Sequence, residues 1–157
     1  MKALTLYQPY ATLLALNLKG PETRSWATNY RGPVAIHAAK NFPAWARELC
    51  RQEPFLSVLR KAGIIGCDLP LGCIVGQAKL QTIFRITPGG MVEAADNRTC
   101  GYFVVRQLPG EPERSFGDYR PGRFAWDFID PQHFEPAIPA RGAQGLWDWQ
   151  APWEVAS

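Results

Sequence analysis

Cys73-Ile74-Val75-Gly76-Gln77-Ala78-Lys79-Leu80-Gln81-Thr82-Ile83-Phe84-Arg85-Ile86 is the stretch on which the fold turns. Its β-branched residues are stiff at χ1 and fit a pleated surface better than a helix, so the whole run reads as one long strand. Leu69-Pro70-Leu71-Gly72 leads into it and Thr87-Pro88-Gly89-Gly90 breaks it. Downstream, Tyr102 to Leu108 and Arg123 to Ile129 read as further strands, with no helical spacing between them. Upstream lie three shorter strands: Ala3 to Leu6, Glu22 to Trp26 and Val34 to Ala38. Pro9 sits where a first helical turn tolerates proline, and Tyr10, Leu13, Leu14 and Leu18 follow at helical spacing until Lys19-Gly20-Pro21. Pro43 to Leu49 and Pro54 to Ala62 give two more helical pieces, stopped by Gly63. About six strands with two or three helices, mostly in the N-terminal half, exclude a regular βαβ alternation. The expected class is α+β, a small mixed β-barrel with helical decoration.

At 157 residues the chain has the length of one domain, and we expect a single domain over 1–157. Apolar residues make up 46% and charged residues 20%, enough for a core and without a disorder signature. No apolar run reaches the roughly 18 residues of a membrane span. The N-terminus places polar groups and Pro9 where a signal peptide would be apolar, so the expected address is cytoplasmic. Cys50, Cys67, Cys73 and Cys100 contain no C-x-x-C pair, and His37 and His133 lie far from them in sequence, so free thiols and no metal or other cofactor are expected. The net charge of +3 is uneven along the chain. Residues 1–63 hold nine Lys and Arg against three Glu, and the remainder holds eight against eleven acids. A basic first part points to an anionic partner such as a phosphate backbone, or to solvated helix charges at Arg47, Arg51, Arg60 and Lys61.

The densest polar cluster is Lys19-Gly20-Pro21-Glu22-Thr23-Arg24. Strand alternation puts Glu22, Arg24 and Trp26 on one face and Thr23 and Ser25 on the other. Lys19, at the end of the preceding helix, can converge with the first two. Such a trio is either a salt bridge pinning a helix-to-strand turn or a charged site. His37, by the same alternation, lies opposite Val34, Ile36 and Ala38, facing either a cleft or a hydrogen-bonded interior. Pro109 to Gly122 is a long loop of the kind that serves a site.

With these residues the chain resembles the ASCH domain family, a branch of the PUA-like superfamily marked by G-x-K-x-x-E-x-R. Lys19, Glu22 and Arg24 match, whereas Asn17 stands where the family usually has glycine. Further blocks agree in order: residues 4–11, 30–40, 69–76, 116–126 and 139–147. The resemblance implies a PUA-like barrel with a cleft beside the first helix, and RNA or a nucleoside or nucleotide as partner, with no membrane. Some similar proteins are ribonucleases, and others are amidohydrolases acting on N4-acetylcytidine. In those amidohydrolases a threonine nucleophile stands at the position of Glu22, and a carboxylate there cannot form its acyl intermediate.

Three functions follow. In the first, a cleft binds RNA, with Lys19, Arg24, Arg31 and Lys40 meeting phosphates, Tyr7, Tyr30 or Trp26 stacking on a base, and Tyr119 and Arg123 as outer members. Core packing is the competing reading for the aromatics, favoured for Trp26, Trp126 and Trp147 and open for Tyr7, Tyr30 and Tyr119. In the second, a metal-independent hydrolase (ribonuclease or amidohydrolase) uses Lys19, Glu22, Arg24 and His37 as catalytic groups for proton transfer and charge stabilisation. In the third, a non-catalytic module binds a small molecule or a protein partner, and residues 115–122 act as a lid bearing Tyr119 and Arg120.

Overall fold

A computed structural model describes residues 1–93 and 104–154. Eight strands and three helices occur among them, in the order β1 (Lys2–Leu6), α1 (Tyr10–Ala15), β2 (Glu22–Arg24), β3 (Gly32–Ala38), α2 (Ala44–Leu49), α3 (Phe55–Lys61), β4 (Cys73–Thr87), β5 (Gly90–Glu93), β6 (Val105–Arg106), β7 (Phe124–Pro139) and β8 (Leu146–Asp148). The class is therefore α+β, as expected. The strands form one sheet in the order β2-β7-β4-β3-β1-β8, with β5 on β4 and β6 on β5. β1 runs parallel to β3, whereas β1 with β8, β2 with β7, β4 with β5 and β5 with β6 are antiparallel. Among the described residues this order has two ends, β2 and β8, so the expected barrel of about six strands is corrected to a sheet of eight that no pairing closes. The two strands beyond the expected six are β5, which starts at the Gly90 end of the Thr87–Gly90 break, and β8.

The chain gathers into two compact units. The first comprises Met1–Leu18, Pro33–Ala78 and Asp130–Ser157, and the second Lys19–Gly32 and Lys79–Ile129. β4 and β7 each contribute residues to both.

In the first unit the short α1 is buried from Ala11 to Ala15. Gln8 stands in for a capping side chain: its carbonyl accepts the Thr12 N–H at 3.1 Å, and its amide donates to Thr12 Oγ1 at 2.8 Å and to the Pro70 carbonyl at 2.9 Å. The helix ends at Ala15 and not at Leu18, because the chain turns through Asn17 at φ 58°. That left-handed conformation favours glycine and is tolerated by asparagine, which accounts for a glycine-preferring position being filled here by Asn17. β3 is buried on both faces from Val34 to Ala38. One cover is a cluster of Ala3, Ala35 and Ile74 packed against Phe134, Ile138, Trp147 and Trp149. Gly76 in β4 leaves no room for a side chain, since a Cβ there would meet the Gln132 carbonyl and Ala15.

In the second unit Phe84, Ile86, Met91, Tyr119 and Ala125 form the core, with Leu108 against it. Trp126 is fully buried, donates its indole N–H to the Trp26 carbonyl at 3.1 Å and packs edge-on against Trp26 at 4.7 Å. Within the long loop, Glu113–Phe116 form a single 3-10 turn that buries Phe116. The strand expected over 102–108 is described only as Val105–Arg106. Cys100 and residues 102–103 of that expectation lie outside the described residues.

Candidate functional site

The second unit carries the charged cluster. Lys19 follows the turn through Asn17, and β2 then places Glu22 and Arg24 on the same face, two residues apart. The Lys19 side chain is fully buried, and its ammonium donates to the Pro21 carbonyl at 2.7 Å and to Glu22 Oε2 at 3.1 Å. Glu22 Oε1 lies 3.3 Å from Arg24 Nε, so one carboxylate holds a cation on each oxygen. A buried ammonium is tolerable only with such partners, because desolvating an unpaired charge is expensive. Arg24, with its side chain 24% exposed, is the member of the trio that reaches furthest toward solvent.

A second carboxylate completes the cluster, and the sequence did not single it out. Glu113 accepts the Gly20 N–H at 2.6 Å on one oxygen and the Tyr119 hydroxyl at 3.1 Å on the other. The signal available for it was the length of the 109–122 loop, not any motif. Burial raises the Tyr119 phenol well above its ordinary range, and the charge and hydrogen bond of Glu113, followed by the charge of Glu22, push the same way. Tyr119 is thus a neutral hydrogen-bond donor in the interior and presents no ring to solvent. Thr23, on the opposite face of β2, accepts the Asp118 N–H at 2.8 Å and ties the loop to the strand. Asp118 is flanked by Arg120 and by Arg123, whose Nε lies 3.3 Å away. The hydrogen-bonded Arg120 guanidinium holds the Asp118 carboxyl down to about 2. Arg31 donates to the carbonyls of Thr28 and Tyr30 at 2.9 and 2.8 Å, and Tyr30 packs over Gly32. This pair shapes the 28–32 loop.

The remaining expected residues belong to the first unit. His37 is buried, and one ring nitrogen, Nε2, lies 3.0 Å from the Ala140 carbonyl. Its ring meets Trp147 edge-on at 5.7 Å, and Gly142 packs so closely that a Cβ would overlap the imidazole. The face of β3 that carries His37 is therefore covered by the 140–147 segment. Burial lowers the His37 pKa, and the Ala140 hydrogen bond only partly offsets it. Tyr7 and Lys40 are exposed on the same unit.

Among the described residues no three of His, Cys, Asp and Glu are placed to hold a metal ion. Cys50, Cys67 and Cys73 are free, and burial together with neighbouring Cys67 pushes the Cys50 thiol up to about 12, far from the range of an activated nucleophile. No helix is long and apolar enough to cross a membrane among the described residues.

No curated protein matches the chain. The model of the ASCH domain matches residues 4–137, a span that contains Glu22, Glu113 and Asp118, the last three residues of β1, all of β2 to β6 and nearly all of β7. The chain belongs to the ASCH domain family.

Proposed function

We propose that this ASCH domain, one domain over 1–157, binds single-stranded RNA through the cationic side of its second unit, with Arg24, Arg120 and Arg123 meeting phosphates. ASCH domains are generally considered RNA-binding and carry a PUA-like fold. The observation that carries the reading is the shared carboxylate: Glu22 binds the buried Lys19 on one oxygen and Arg24 on the other. Lys19 is in this reading a positioning residue that orients Glu22, and Glu22 sets the Arg24 guanidinium, whose planar fork suits a phosphate. The charge distribution agrees. The second unit holds ten Lys and Arg against seven Asp and Glu, whereas the first holds seven of each, so the whole +3 belongs to the second.

Phosphate contacts release counterions, so the logarithm of the affinity for a single-stranded RNA 10-mer, read by fluorescence anisotropy, is expected to fall linearly with the logarithm of KCl concentration. Arg24→Ala should weaken binding and reduce that slope by about 0.7, the value for one phosphate contact on a single strand. Binding by the intact protein that is indifferent to salt would overturn this reading.

A further inference from the structure

Two large apolar side chains that stay exposed are neighbours. Tyr7 is 44% and Trp45 52% exposed, and their rings meet edge to face with centroids 5.7 Å apart. Their backbone is well fixed. β1 and β3 run parallel with Leu6 opposite Ala38, so Tyr7, directly after β1, and Lys40, two residues after β3, leave the sheet at the same end. The Ala39 N–H donates to the Leu6 carbonyl at 2.8 Å and keeps the two exits bonded. Beside Tyr7, the buried Gln8 is anchored to α1 and to Pro70. The Lys40 stem lies along Gly72, whose N–H is bonded to the Ala38 carbonyl. Trp45, in the first turn of α2, closes the group.

An edge-to-face pair leaves ring faces uncovered by the partner ring, and water is a poor covering for them. A fully exposed ring of this kind offers about 150–250 Å². Two half-exposed rings fall well short of the about 800 Å² per partner that a stable protein interface buries. A flat π-system with an adjacent negative charge fits both the area and the ammonium. We propose that Tyr7 and Trp45 form a stacking platform for an unpaired base of single-stranded RNA, with Lys40 meeting a neighbouring phosphate. This site lies in the first unit, apart in sequence from the arginines of the second, and it rests on the RNA-binding reading above.

The test compares the full chain with its Trp45→Ala, Tyr7→Ala and Trp45→Phe variants on two oligonucleotides: an adenine-rich single-stranded 10-mer, and a 10-mer with the same backbone and abasic positions throughout. The intact protein should bind the base-bearing strand more tightly. Trp45→Ala and Tyr7→Ala should each lose roughly 5- to 150-fold on that strand, the range for one lost base stack, and leave abasic binding unchanged. Trp45→Phe, which keeps a ring, should retain most of the affinity. Both alanine variants matching the parent on both strands, while salt-dependent binding persists, would overturn the platform and leave the arginine reading standing. An equal loss on both strands would overturn it too, since the rings would then act through fold or charge. Failure of the intact protein to bind either strand would remove both readings together.

Discussion

His37 shows how one residue can pass every sequence test for a proton-transfer group and still be built into the interior. It alternates away from Val34 and Ile36 as expected, yet the face on which it lands is covered by Ala140, Gly142 and Trp147. Its local pattern was legible, but the cover comes from residues about a hundred positions later. The consequence is a defined pH response. The folded pKa lies below the ordinary 6.5 because burial disfavours the imidazolium. Between that lowered value and 6.5 the unfolded chain binds the proton and the folded chain does not, so stability falls as pH drops through this window. The slope for one proton is at most about 1.4 kcal/mol per pH unit. Chemical denaturation at pH 7, 6 and 5 should show this loss in the intact protein and a flatter profile in His37→Gln, measured as the difference between the two at each pH. Parallel profiles would contradict a buried neutral His37. Asp118 works in a separate range: its folded pKa is depressed to about 2, so its contribution is present above the ordinary carboxylate value and is lost only in stronger acid.

At the scale of elements, legibility followed how far local rules agreed with pairing. β4 was readable because no proline breaks the run and β-branched residues recur toward both its ends, and α2 and α3 because prolines open both. β7 was readable only from 124 to 129. Its second half carries Pro131 and Pro136 and turns at Asp130, φ 51°, features that argue against a strand when judged locally. The neighbouring strand supplies what the local sequence lacks: at Gly76 the β7 backbone comes so close that the Gln132 carbonyl would overlap a Cβ. Gly76 has no positive φ, so sterics alone exclude a side chain there. Gly76→Ala should therefore destabilise the protein by about 1–3 kcal/mol or more through overpacking against backbone, seen as a lower denaturation midpoint with an unchanged m-value. Gly89→Ala, where nothing lies within 4 Å, is the control and should change little. Equal midpoints for the two variants would mean that β7 does not approach β4 so closely. In the charged cluster the same distinction holds. Lys19, Glu22 and Arg24 lie within one helix-to-strand turn and could be paired on paper, whereas Glu113 joins them across more than ninety residues.

For the whole molecule, the net charge changes meaning once the chain is folded. Along the sequence the surplus of cations falls in residues 1–63, but six of those nine (Lys2, Lys40, Arg47, Arg51, Arg60, Lys61) belong to a unit whose charges balance. Salt bridges on that unit, such as Lys2 with Asp148 and Arg51 with Glu48, are exposed ion pairs of the kind worth little. A steering field depends on where the unbalanced charge sits and not on its total. Two double variants separate these quantities, because each removes two cations and lowers the net charge from +3 to +1. Arg60→Ala with Lys61→Ala strips the last turn of α3 in the balanced unit. Arg120→Ala with Arg123→Ala strips the pair around Asp118 in the cationic unit and leaves that carboxylate to repel phosphate. If both arginines meet phosphates, the second double variant should reduce the salt slope for single-stranded RNA by about 1.4, twice the single-contact value, while the first leaves it within error of the parent. Equal slopes for the two double variants, both shallower than the parent, would mean that RNA responds to net charge alone, and the assignment of phosphate contacts to the second unit would fall.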